Sequence, residues 1–535
     1  MKSDVIIIGS GPAGVNAARP LVAAGLRVTM LDVGHRPDPE VSVPEGGFAS
    51  LRRGDGEQQR YFLGPKFEGI AFGHTGPGSQ LTPPRQYLTR DVDRLTPLRS
   101  ASFEPLESLA AGGLGVAWGG GSPPFVDADL EDFPYDRAEL QPHYEAVARH
   151  VGISGEGGDL APFFGSLDAL QPAVRTDTHG ESVLGRYRRR ASTLNRQGLY
   201  VGRPWLAMLS RDIGSRRATS YLDMDFWTDR RGSVYRPWST LELLEREEGF
   251  RYRDRRLALR FDASDAGVTV DTESIDTGER ERHRARFLVI AAGALGTTRL
   301  VLRSLDLYDH PVPVVCNPHA YVAMLNLPTL GREVRSSRHS LAQGCFAYAP
   351  DGPDRAAVVG HLYTYRSLLT FKLIKDAPLS IRDGSAVFRR LAPHLAILII
   401  QHADRPTTRK RCALVRGADG GRDVLEVEYE LNARERRAVE RTDRAILAGF
   451  RQLGCLPLRA VRPGHASSTH YAGSLPMSDD DRPLTTDRWA RLRETTNVYI
   501  ADGAAFPMLP SKGPTFSLMA HAHRVGRRVA EVAGA

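Results

Sequence analysis

Cysteine, lysine and long apolar runs are all scarce in this chain of 535 residues. The four cysteines, Cys316, Cys345, Cys412 and Cys455, are scattered with no Cys-x-x-Cys pair. That spacing excludes a metal knuckle or a disulfide framework and points to a reducing compartment, the cytoplasm. The longest aliphatic run, Leu395 to Ile400, is far too short to span a bilayer. Only six of the 71 basic residues are lysines, and the arginines fall in short clusters such as Arg188-Arg189-Arg190. The net charge of +8 therefore reads as solvated charged faces and not as a nucleic-acid footprint. No metal, nucleic acid or membrane is expected as a partner. No internal repeat or low-complexity linker is apparent. With 41% hydrophobic and 25% charged residues, the chain has ample core for two or more domains or one large interleaved enzyme.

What is present begins at the N-terminus. A short strand, Asp4 to Ile8, runs into Gly9-Ser10-Gly11-Pro12-Ala13-Gly14, an apolar helical stretch follows, and a second strand from Leu26 to Leu31 ends in Asp32. This is the dinucleotide fingerprint in its required context. Gly9 permits the tight turn, Gly11 lets backbone approach a pyrophosphate, and Gly14 lets helix and strand pack closely, with the helix N-terminus facing phosphate charge. Asp32, 18 residues after Gly14, suits the ribose hydroxyls. The motif leaves FAD and NAD open. Because the fingerprint starts almost at Met1, no signal peptide is expected ahead of it.

Further along, residues 35–110 are rich in Gly, Pro and Arg and read as loops over the cofactor site. Residues 135–150 carry helical spacing with Asp136 as cap, and residues 432–452 form a strongly amphipathic helix after Asn432. Leu257–Phe261 and Val268–Val270 pair through a turn at Asp265-Ala266-Gly267. Phe287–Ile290 is a buried strand running into Ala291-Ala292-Gly293, small residues that let backbone pass close to a nucleotide. Ala396–Ile400 is a core strand, Val498–Ala501 another, and a last helix starts near Pro514 and continues to about Val532. Nucleotide-facing pieces at the start, middle and end imply one domain assembled from distant segments.

Four separated blocks then resemble the glucose–methanol–choline (GMC) oxidoreductases. They are the N-terminal fingerprint, Gly112 to Gly120, Phe287 to Arg299, and His470 to Arg524 with HYAGSLPM and NVYIADGAAFPMLPSKGPTFSLMAHAHR. The resemblance implies an α/β fold: a Rossmann-like FAD-binding domain from residues 1–130, 236–304 and 461–535. A substrate domain on an antiparallel sheet would comprise 131–235 and 305–460. It selects FAD over NAD. The loop at 112–120 is most similar to the pyranose-oxidase branch, in which a histidine can attach to flavin. Ala117 stands at that position here, so the resemblance implies non-covalent FAD. It also implies cofactor contacts at Gly113, Val116, Trp118, Gly119, Ala292, Gly293, Asp502, Gly503, Pro514 and Thr515.

His470 falls on the position of the family's active-site histidine, and a group that takes a hydroxyl proton near neutral pH suits the chemistry. The family usually has Asn or His where this chain has Gly513. Lys512 next door is the candidate to fill that gap; a substrate-domain residue or water is the other. Pro514 suits a first helical position, and the helix N-terminus can stabilise negative charge at the flavin. His465, His521 and His523 read as structural. The implied activity is oxidation of an alcohol on a sugar, glycoside or polyol-like metabolite by hydride transfer to flavin N5. The electron acceptor is open between O2 and another molecule. The alternative is a redox-neutral or non-alcohol flavoenzyme on the same scaffold, such as an epimerase, isomerase or tailoring enzyme.

Overall fold

The computed structural model describes residues 3–534 except 39–45, 48–49, 52–53, 63–82, 224–228, 335–337 and 365–377. The parts of the expected loop region 35–110 that fall in 39–82 lie largely outside the described residues.

Four apolar residues in a row cannot alternate between core and water, so Val5–Ile8 is buried on both faces. It sits at the centre of a five-stranded parallel sheet with the order Val498–Ile500, Phe287–Ile290, Val5–Ile8, Val28–Leu31, Phe250–Arg253. Val5 stands opposite Val28 on one side and Phe287 on the other. Helix Pro12–Ala23 follows the first strand and packs against the last helix, Thr515–Ala533. A side chain at Gly526 would come within 2.3 Å of the Ala17 carbonyl, so only glycine allows that approach. The fold is therefore Rossmann-like α/β, assembled from segments nearly 500 residues apart.

Between the third and fourth segments of the sequence that build this sheet runs an antiparallel meander, Arg256–Ser264, Gly267–Ser274 and Arg280–Ala285. Its first turn uses Gly267 at φ +136°. A separate six-stranded antiparallel sheet has the order Cys455–Val461, His319–Asn326, Leu395–Gln401, Val358–Thr364, Gly344–Tyr348, Leu199–Gly202. Strand His319–Asn326 alternates buried and half-buried residues, as a strand with two different faces must. One face packs on helices Thr178–Arg196 and Ala433–Gln452 through Leu184, Tyr187, Ile446 and Phe450. The other looks into the cavity described below.

The caps match their residues. Asn432 accepts from the Arg434 and Glu435 amides, and Asp136 accepts from the Glu139 amide. Pro514 differs from expectation by one position: it is the N-cap of Thr515–Ala533, not its first residue. No helix among the described residues is long and apolar enough to cross a membrane.

Candidate active site

A cavity of about 830 Å³ runs from the fingerprint turn to the open face of the antiparallel sheet. Its two ends are built differently.

At the first end the wall is backbone. Gly9 has φ +96°, and a Cβ there would meet the Ala291 carbonyl at 2.4 Å. A Cβ on Gly14 would lie 1.9 Å from the Gly9 carbonyl, so the turn and the helix touch without side chains between them. Ser10 ties the turn to its surroundings: its hydroxyl donates to Asp32 and accepts from the Gly112 amide at 2.9 Å. Asp32 also accepts from the Tyr252 hydroxyl at 3.1 Å, and burial pushes its carboxyl up to about 6 despite these donors. Asp502 is likewise buried, accepts from Thr297 and from the Ala504 amide, and is pushed up to about 6 by burial.

Most residues singled out from the sequence line this cavity. They are Gly9, Ser10, Gly11, Pro12, Ala13, Asp32, Gly113, Trp118, Gly119, Ala292, Gly293, Asp502, Gly503, Pro514 and Thr515. Gly14 and Val116 stand behind the wall. Gly14 packs on Gly9, and the Val116 side chain fills the space beneath Gly112. Trp118 donates its indole N–H to the Tyr235 carbonyl at 2.8 Å, which fixes the ring.

At the second end the wall is side chains. His470 lines it, and its Nδ1 is 3.0 Å from Oδ1 of Asn317. The Asn317 amide nitrogen donates to the carbonyls of His402 and Pro510, each at 2.8 Å. Those two bonds fix which end of the amide faces the histidine, so Oδ1 is the acceptor and Nδ1 of His470 carries the proton. The lone pair is thereby on Nε2, which has no partner among the described residues. Burial, reinforced by the nearby His319 and His361, pushes His470 down to about 3, so the ring is neutral. The turn that presents it is strained: Ala466 and Thr469 adopt φ of +75° and +60°, and a β-branched residue rarely does so.

Lys512 corrects the sequence reading. Its ammonium turns away from the cavity into a buried pocket, where it pairs with Asp129 and donates to the carbonyls of Pro124 and Phe163. Successive residues of an extended chain point to opposite sides, so Lys512 points into the protein while Gly513 lines the cavity. A side chain at Gly513 would begin 4.0 Å from His470 Cε1 and 3.8 Å from the Gly121 carbonyl.

The sequence reading missed His319, Tyr321, His361, Tyr363, Gln401 and Asn317. The available signal was a His-x-Tyr pair on each of two alternating strands, at 319–321 and 361–363.

Residues 398–522, which carry His470 and Gly513, match the family model described as GMC oxidoreductase. This part of the chain is thus similar to the GMC oxidoreductases. The relatives extend the likeness to nearly the whole length. The chain is 27% identical to the 6'''-hydroxyparomomycin C oxidase of Streptomyces lividus, over 98% of this chain and 91% of that one. It is 25% identical to the paromamine 6'-oxidase of Streptomyces fradiae, with the same two coverages. The crystal structure of pyridoxine 4-oxidase from Mesorbium loti superposes with a TM-score of 0.59 and 17% identity, covering 98% of this chain and 99% of that one, a likeness of fold. The family match and the relatives together make the chain an oxidoreductase acting on CH–OH groups.

Proposed function

We propose that this GMC oxidoreductase oxidises an alcohol group on a sugar, glycoside or polyol-like molecule, using FAD held without a covalent bond. The observation that carries the reading is His470. A neutral imidazole with its tautomer fixed by Asn317 shares one cavity with a glycine cradle that a single Cβ would fill.

The residues present fit the cofactor. Gly9, Gly11 and the N-terminus of helix Pro12–Ala23 suit a pyrophosphate, and Asp32 suits ribose hydroxyls. Ala117 lines the cavity and offers no nucleophile for attachment. The helix beginning at Thr515 directs its N-terminus to the same cavity, where it favours negative charge. FAD bound there supplies the acceptor for the hydride that leaves the carbinol carbon. The hydroxyl proton goes to Nε2 of His470 as the carbonyl forms. Asn317 keeps Nδ1 protonated and the ring turned toward the substrate. In this reading residues 1–130, 236–304 and 461–535 hold the cofactor, and 131–235 and 305–460 hold the substrate. The curated relatives act on hydroxylated molecules by their names, which supports a carbohydrate-like substrate.

Anaerobic mixing of the purified protein with a panel of sugars, glycosides and aminoglycosides tests this. Bleaching of the flavin by at least one is expected. Protein that carries no FAD, or FAD that no polyol reduces, would overturn the reading.

A further inference from the structure

Two strands of the antiparallel sheet each present His-x-Tyr to the cavity: His319 and Tyr321 on one, His361 and Tyr363 on the other. The strand Leu395–Gln401 lies between them, with Ile399 opposite both Tyr321 and His361, and Gln401 opposite His319. This face carries hydrogen-bonding groups where a core face would carry aliphatic ones.

His361 is its unexplained member. The side chain is buried, makes no hydrogen bond among the described residues, and its Nε2 is sealed from solvent with no partner. A buried polar group without a partner calls for a reason. Its position supplies one. Nε2 is 3.4 Å from the point where a side chain at Gly121 would begin. The Gly121 carbonyl is 3.8 Å, and His470 Cε1 4.0 Å, from the corresponding point at Gly513. Both imidazoles and both glycines line the one cavity.

We infer that His361 is a substrate-binding residue that holds a second hydroxyl of the polyol in the cavity it shares with His470. This rests on the alcohol-oxidation reading above and names the group that does what no side chain at Gly513 can do. Burial keeps His361 neutral, at about 4. A neutral imidazole offers one donor and one acceptor, which matches a hydroxyl, itself both. The specificity that follows is for vicinal or near-vicinal polyols over simple alcohols.

The test uses the FAD-loaded full chain and a glycoside that bleaches its flavin, with a set of deoxy analogues each lacking one hydroxyl beside the carbinol. In the parent, one deletion is expected to lower kcat/KM by about 10–100-fold, the cost of leaving a buried group unpaired. In His361→Leu, the Kd from the dependence of reduction rate on substrate should rise by about 10–100-fold while the limiting rate falls less. The same deoxy analogue should then lose only about threefold or less, because its partner is gone. His361→Leu with the parent Kd and the full deoxy penalty would overturn the inference. If that variant does not fold, the parent series decides: no hydroxyl beside the carbinol worth more than about threefold overturns it as well. A parent whose flavin no polyol reduces overturns the alcohol reading and this inference with it; a parent that is reduced while His361→Leu matches it overturns this inference alone.

Discussion

At the fingerprint end of the cavity the wall is backbone, and at the histidine end it is side chains. Gly9 and Gly14 work by omission: any atom added to either collides with the Ala291 or Gly9 carbonyl. His470, Asn317 and His361 work by presence: each places a nitrogen or oxygen that another residue type would lack. Two kinds of failure follow. The backbone end should fail all at once, in folding and cofactor retention. The side-chain end should fail by degrees, in rate and affinity, with the fold intact.

The sharpest way to break that contrast is at Gly14. A valine there must displace the Gly9 carbonyl, 1.9 Å from the new Cβ, and backbone cannot yield as a flexible side chain does. Gly14→Val should give protein that is insoluble or free of flavin, read as the ratio of flavin to protein after denaturation. A soluble, fully loaded Gly14→Val would show that the backbone end tolerates what the geometry forbids.

His470→Ala is the counterpart at the other end. Flavin content and thermal midpoint should stay near the parent. The rate of anaerobic flavin reduction should drop by about 10²–10⁴-fold, the usual worth of a general base. Reduction at the parent rate would remove His470 from the chemistry.

The same contrast decides what was legible in the sequence. A backbone cradle is local: turn, helix and acid occupy residues 4–32, and spacing alone exposes them. Caps are local too, and Asp136 and Asn432 start their helices where their side chains dictate. A chamber of side chains is not local. His319, His361 and Gln401 meet only because three strands pair in one register, and that register depends on contacts across more than 80 residues of chain. Helix Thr178–Arg196 was also missed, because its many arginines dilute the apolar stripe of Val183, Leu184, Tyr187 and Leu194. Lys512 shows the limit of reasoning from neighbours. Adjacency to Gly513 suggested a shared site, but a buried carboxylate on the opposite side, Asp129, holds it there.

Lys512→Met turns that correction into a measurement. It leaves the Asp129 carboxylate buried with only the Val126 amide as a described donor. Breaking a buried pair in this way costs about 3–5 kcal/mol. The urea midpoint should fall accordingly, while the flavin reduction rate per loaded molecule stays at the parent value. A slowed reduction with unchanged stability would return Lys512 to the active site.

The last and mildest separation is by pH. In the proposed reaction His470 acts as a base when neutral, and burial holds it at about 3 against an ordinary value of 6.5. Protonation should therefore not limit the reduction rate until pH falls well below 5, and the rate per folded molecule should be nearly flat from pH 7 to 5. Stability behaves differently. His319, His361 and His521, which are buried, and His150 and His523, which are half-buried, are also held at about 3 to 4 by desolvation. For a histidine whose folded value is lowered, the unfolded chain binds more protons. Its contribution is complete above 6.5 and is lost as pH falls toward the folded value. Each group loses up to about 2 kcal/mol by pH 5, from about 1.4 kcal/mol per pH unit. The buried carboxyls Asp32, Asp404 and Asp502, raised to about 6, offset part of this loss because the folded chain binds their protons first. Denaturation midpoints should therefore drop between pH 6.5 and 5 while reduction of the surviving protein hardly changes. A rate that titrates near 6.5 in step with stability would mean that the His470 chamber is wetter than its packing implies, and that the two ends of the cavity differ less than their construction suggests.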